Sequence, residues 1–190
     1  MERKPRLALL GQRVSGTVAT AFALATVPLT GQLSQDQALA LAFPSAAIER
    51  RTTYLNDDQL EEARRLAGNR VEIESTILVH YVGLQDGAPI GVAYFDAHRV
   101  RTLQEVLMIV VGLDGRVDRV ETVSFREPPD YEAPRRWLEL FQGRTLTSDL
   151  SMRGDIPNVT GATLTTNAVT TSVRRVLALH NVVQPLGKPR

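Results

Sequence analysis

The chain has 190 residues, a length that suits one domain plus a short extra segment. Hydrophobic residues make up 43% and charged residues 23%, which places it among folded globular proteins rather than disordered ones. Lys and Arg number 22 against 21 Asp and Glu, so bulk charge gives no reason to expect nucleic acid as a partner. With no Cys, the chain can form no disulfide, thiol nucleophile, thiolate-held iron–sulfur cluster, Cys-linked haem or lipidated N-terminal Cys. His80, His98 and His180 are scattered and none lies three or four residues from another, so a His-rich metal site is not expected.

Charge is unevenly spread. Residues 1–13 hold Arg3, Lys4, Arg6 and Arg13 against Glu2, a net +3, and leave 18 − 20 = −2 for the rest. No charge occurs from Val14 to Gln35. A basic start before an uncharged, moderately apolar stretch reads as a secretory signal, with Ala23-Leu24-Ala25 as an A-x-A cleavage pattern. An uncleaved membrane anchor and a buried N-terminal helix are the alternatives. Ser15, Gly16, Thr17, Thr20 and Pro28 interrupt the stretch and weaken it as a spanning segment. The expected division is a signal or anchor over 1–33, a single domain over 34–182 and a flexible tail over 183–190, with an extracytoplasmic, membrane-associated location.

Ser34 with Gln37 forms a capping box for a first helix through Gln37–Leu41, which stops at Phe43-Pro44. Asn56 caps a second helix. Asp57 and Asp58 suit its positive first turn, Arg64 and Arg65 its negative last turn, and Gly68 ends it. Leu60, Ala63, Leu66 and Ala67 form its apolar stripe, and Leu55 can staple onto Leu60. The pattern then changes to period 2. Val71, Ile73, Ser75, Ile77, Val79 and Tyr81 share one strand face, and Glu72, Glu74, Thr76 and His80 share a polar, solvated one. Asp86-Gly87 predicts a hairpin into a strand over Ile90–Asp96. A further strand covers Val106–Val111, and Asp114-Gly115 turns into another over Val117–Phe125. Pro128-Pro129 break the pattern. A short helix follows with Trp137, Leu138 and Phe141 as core contacts, and Gly143 ends it. Residues 144–159 read as a loop. A last helix after Gly161 carries Val169, Val173, Val176, Leu177 and His180 on one side. These elements predict an α+β fold, an antiparallel sheet with helices packed on one face or end.

No nucleophile elbow, P-loop, dinucleotide-binding glycine motif or zinc-protease motif is present. The segment from Asp155 to Val169 stands apart. It places Thr160, Thr163, Thr165, Thr166, Thr170 and Thr171 around one helix start, with Gly161 and Ala162 open to close approach. Free N–H groups and the positive helix end favour an anion there, especially a phosphate. The alternative is a helix capped by Thr160, with the other hydroxyls merely solvated.

Thr160-Gly161-Ala162-Thr163-Leu164-Thr165-Thr166 resembles the S/T-G-A-T-x-T/S signature of FMN-binding domains. These domains occur in flavin-carrying subunits of sodium-translocating NADH:quinone oxidoreductase, in its ferredoxin-oxidising relative and in small exported flavoproteins. Looser likeness covers residues 35–182, including Gln35–Leu39 with Phe43-Pro44, Arg126-Glu127, and Trp137–Gly143. The resemblance implies FMN joined to Thr163 by a phosphoester, made by a magnesium-dependent flavin transferase that uses FAD. Thr160, Gly161, Ala162, Leu164 and Thr165 would form the phosphate turn, and Glu127 and Tyr131 would line the ring. Pro157 stands where the family's motifs place Asp, and Asp155 lies two residues earlier. Pro128-Pro129-Asp130-Tyr131 replace a loop that often contains Gly. The implied role is an electron carrier fed by a membrane iron–sulfur or flavin protein. A flavin-dependent reductase with its own substrate site and a flavin-free interaction module are the alternatives.

Overall fold

The computed structural model describes residues 32–187. The basic, charge-free N-terminal stretch lies outside them except for its last residues, as do residues 188–190. Helix α1, Gln35–Ala42, starts where Ser34 and Gln37 cap each other's backbone N–H. Helix α2, Asp57–Ala67, starts on the equivalent box of Asn56 and Gln59 and ends at Gly68. Among the described residues no helix is long and apolar enough to cross a membrane.

Among the described residues five strands form one antiparallel sheet in simple sequence order. They are β1 (Ala47–Tyr54), β2 (Ile77–Gln85), β3 (Ala88–Arg99), β4 (Gln104–Val111) and β5 (Val117–Phe125). Turns at Asp86-Gly87 and Asp114-Gly115 join β2 to β3 and β4 to β5, as the sequence predicts. Strand β5 has the predicted bounds, whereas β3 and β4 begin two residues earlier than expected. Short helix α3, Arg135–Leu138, follows the Pro-Pro break. Trp137 and Phe141 are buried and meet edge to face at 5.3 Å. The long helix α4, Thr163–Val183, closes the domain. Beyond it Leu186 packs on the main core, and Arg51 donates to the Pro185 carbonyl.

Four expectations are corrected. Strand β1 has no counterpart in the predicted elements. Residues 71–75 pair with no neighbouring strand, so the strand predicted from Val71 begins at Ile77 instead. Val71 and Ile73 still face inward, under α2 and α4, while Arg64 and Arg175 donate to the Ile73 and Glu72 carbonyls that a neighbouring strand would otherwise satisfy. His80 is not solvated but 2% exposed, because α4 covers its face of the sheet. Among the described residues its Nδ1 has no partner.

Helices cover both sheet faces, rather than one face or end. Val169, Val173, Val176 and Leu177 of α4 pack with Val82, Tyr94, Leu107 and Ile109. Helix α1 covers part of the opposite face through Ala38, Leu39 and Phe43, against Ala93, Met108 and Val110. The Phe43 ring sits on Gly83, where a Cβ would come within 2.6 Å of it. Only glycine lets the ring lie that close to the sheet.

Candidate functional site

Three segments meet at one end of the sheet: the β3–β4 tip, the loop after β5 and the start of α4. The tip is held from below by Glu127, which is 7% exposed. Its Oε1 accepts the N–H groups of Arg101 (3.1 Å), Thr102 (2.6 Å) and Leu103 (2.7 Å). These donors, Leu103 first and then Thr102, hold the carboxyl below its ordinary range. Arg101 then lies over the Tyr131 ring, 4.7 Å from its centre. Tyr131 in turn receives α4, because Thr165 Oγ1 donates to its carbonyl at 2.5 Å. Glu127 therefore organises the tip through backbone N–H groups. Replacing it by Ala should release the tip, and the amides of residues 101–103 should exchange with deuterium much faster. Unchanged protection there would overturn this role.

The start of α4 is built differently from those of α1 and α2. Ala162 occupies the N-cap and offers no oxygen. Thr160 is exposed two residues earlier and does not cap the helix, so the Thr160-capped alternative is corrected. Among the described residues, the first-turn N–H groups of Thr163, Leu164 and Thr165 have no acceptor. Gly161 has φ +88, and nothing lies within 4 Å of where its Cβ would be. The space in front of these N–H groups is therefore open to an oxyanion.

The hydroxyls of the signature divide by burial. Thr165 and Thr166 are 1% and 0% exposed. Thr166 Oγ1 lies 3.1 Å from the carbonyls of Ala162 and Thr163 and 2.9 Å from Asn158 Oδ1. Thr163 and Leu164 face solvent. Asn158 Nδ2 donates to Thr163 Oγ1 at 3.2 Å, so Asn158 ties Thr163 to Thr166. Trp137 Nε1 donates to the Pro157 carbonyl at 2.6 Å and fixes the approach to the turn. Asp155 is exposed and paired with Arg144. The sequence reading assigned no role to Asn158 or Arg101, and treated Trp137 only as a core contact. Asn158 lies within the segment that reading marked out; its position two residues before Thr160 was the available signal.

A buried polar cluster sets the rotation of α4. Ser172 Oγ donates to Asp96 Oδ1 at 2.8 Å, and Arg175 Nη1 lies 2.7 Å from Asp96 Oδ2. The His98 ring spans Asp96 and Glu105, at 3.0 Å from each. Burial opposes a charge on Asp96, but His98, Arg175 and Ser172 outweigh it and bring its pKa down to about 2. Burial likewise opposes a charged His98, but Asp96 and Glu105 raise its pKa to about 9. A charged imidazole between two carboxylates ties β3 to β4, and Ser172 and Arg175 clamp α4 to Asp96. In that rotation Thr165 meets the Tyr131 loop and Thr163 faces out.

No curated protein is significantly similar to the chain. Residues 104–178 match the family model of the FMN-binding domain. That span runs from β4 through the Glu127–Tyr131 loop and the open turn into α4, and so contains the segments that form the site except the end of β3 and the tip residues 100–103. Over residues 104–178 the chain is similar to the FMN-binding domain family.

Proposed function

We propose that this protein is an exported, membrane-associated electron carrier with FMN esterified to Thr163. The observation that carries the attachment is the uncapped first turn of α4, with an exposed hydroxyl beside free N–H groups. Among the signature threonines from 163 to 166, only Thr163 presents its oxygen to a modifying enzyme. In such a transfer Thr163 Oγ would take the flavin-side phosphoryl group of FAD as the pyrophosphate P–O bond breaks, with AMP as the leaving group and the hydroxyl proton passing to a base of the flavin transferase. The remaining phosphodiester charge would sit in the first helical turn, where the helix dipole would stabilise it by about 0.3–1 kcal/mol.

Bound flavin supplies one- and two-electron redox chemistry, and the protein supplies attachment and orientation. Glu127 holds the tip, Arg101 and Tyr131 form its rim, and Leu164 stands exposed beside Thr163. The tether also suits a compartment where free FMN would be diluted, because rebinding becomes intramolecular. Export rests on the +3 start and the charge-free stretch after it. A membrane iron–sulfur or flavin protein supplies the electrons in this reading.

Protein taken from its native cell envelope tests the reading by intact mass. The expected mass carries one FMN adduct and, if the leader is cleaved, lacks the N-terminal segment. FMN lost on denaturation would overturn the covalent link and point to Pro157 in the usual Asp position. Reduction by NADH should be slow alone and faster with native membranes. Equal rates would favour a self-sufficient reductase.

A further inference from the structure

We propose that a cavity on the flank of α4, separate from the open turn at Thr163, binds a phosphate monoester. The cavity holds about 380 Å³ between the residues after α2, the 148–153 loop and the second to fourth turns of α4. Arg70, Arg153 and Arg174 line it, and among the described residues no Asp or Glu does. Among the described residues none of these three guanidiniums has a carboxylate partner.

Arg174 is fixed in place and left uncompensated. Its Nε donates to the Ala67 carbonyl at 2.9 Å. Its Nη1 donates to the carbonyls of Thr147 (2.7 Å) and Leu150 (3.0 Å). Among the described residues Nη2 has no bonding partner, and it lies by Gly68, 3.6 Å from where a Cβ would be. Burial pulls this guanidinium below its ordinary pKa, as expected for a cation that lacks a counter-charge. Ser148, Ser151, Asn167 and Thr171 add neutral hydrogen-bonding groups to the walls.

Those donors suit a dianionic phosphoryl group, which planar guanidiniums bind in a forked geometry. The space exceeds what a bare oxyanion fills and lies at the lower end of ordinary small-ligand pockets, about 300–1,000 Å³. Ala67, Val71 and Met152 supply an apolar wall for the organic part. The ligand class is therefore a phosphate monoester rather than inorganic phosphate. Asn167 and Thr171 lie one and two turns beyond Thr163, so ligand here would flank the open turn without occupying it.

The test uses the full chain with AMP, glycerol 3-phosphate, inorganic phosphate and adenosine at matched ionic strength. Thermal shift and calorimetry should show saturable binding of both esters and none of adenosine. Arg70→Gln with Arg153→Gln should weaken the esters by about tenfold or more, since two charged donors are lost. Arg174 is left intact because it ties three carbonyls. The double variant should unfold within a few degrees of the parent, because both residues are exposed. Thr163→Ala protein without flavin should bind the esters as the parent does, which separates this site from the attachment reading. Inorganic phosphate binding as tightly as the esters would overturn the monoester assignment. Equal shifts from sodium chloride, or undiminished binding in the double variant, would overturn the site.

Discussion

Thr163→Ala should abolish covalent flavin while leaving a folded protein. The substitution removes the exposed oxygen that can form the ester and one 3.2 Å hydrogen bond from Asn158. At a solvent-facing first-turn position, the stability change should stay under about 1 kcal/mol. Thr163→Ser keeps the oxygen and should retain part of the flavin. Thr160→Ala should leave the adduct in place, because its hydroxyl lies outside the helical turn. Thr165→Ala and Thr166→Ala should keep it as well, since those oxygens are buried and bonded within the protein. Thr165→Ala should nevertheless loosen the Tyr131 loop by orphaning its carbonyl. Flavin fluorescence in a denaturing gel, with mass mapping of the 155–174 peptide, reads the result. Fluorescence that persists in a folded Thr163→Ala protein would overturn the assignment.

Stability should peak near pH 6.5 and fall on both sides, driven by two histidines with opposite shifts. Burial, with a smaller contribution from His80, brings His180 from 6.5 down to about 4. Above pH 6.5 its ring is neutral whether the chain is folded or not. Between 6.5 and about 4 only the unfolded chain takes the proton, so stability falls by about 3 kcal/mol in all. His98 behaves in the opposite sense. Below pH 6.5 it is charged in both states and its pairing is fully present. Between 6.5 and about 9 only the folded chain keeps the proton, so stability falls as pH rises, by up to about 3 kcal/mol. Denaturant midpoints from pH 4 to 9 at fixed ionic strength measure both limbs. His180→Gln can still accept from the Tyr94 hydroxyl, now 2.8 Å from Nδ1, and should flatten the acid limb alone. An acid limb unchanged in that variant would overturn the His180 account.

Local signals carried most of the fold. Capping boxes at Ser34 and Asn56, the two Asp-Gly turns and the bounds of β5 depend on residues close in sequence, and each is where the sequence reading places it. Strand β1 was illegible for a physical reason. It is an edge strand, Ala-Ile-Glu-Arg-Arg-Thr-Thr-Tyr, exposed along most of its length, so no alternation marks a buried face. His80 and the 71–76 segment depend on what α4 covers and where Arg64 and Arg175 reach, which no local pattern records. At the site, the open turn was readable because Gly161, Ala162 and the threonines are contiguous. Asn158, Arg101 and Trp137 were not, because their roles rest on hydrogen bonds and ring contacts made across the loop.

The simple strand order has a consequence for biogenesis. Each strand pairs with its sequence neighbour, so the sheet has low contact order and can assemble progressively as the chain is made. One main core stays open until the end. Val169, Val173, Val176 and Leu177 fill it, and they arrive with the last helix. The threonine proposed to carry the flavin begins that same helix. A nascent or truncated chain can therefore present the sheet but not the ordered acceptor turn. A transferase that reads the turn would act as a checkpoint on completed folding, loading cofactor only onto chains whose core has closed.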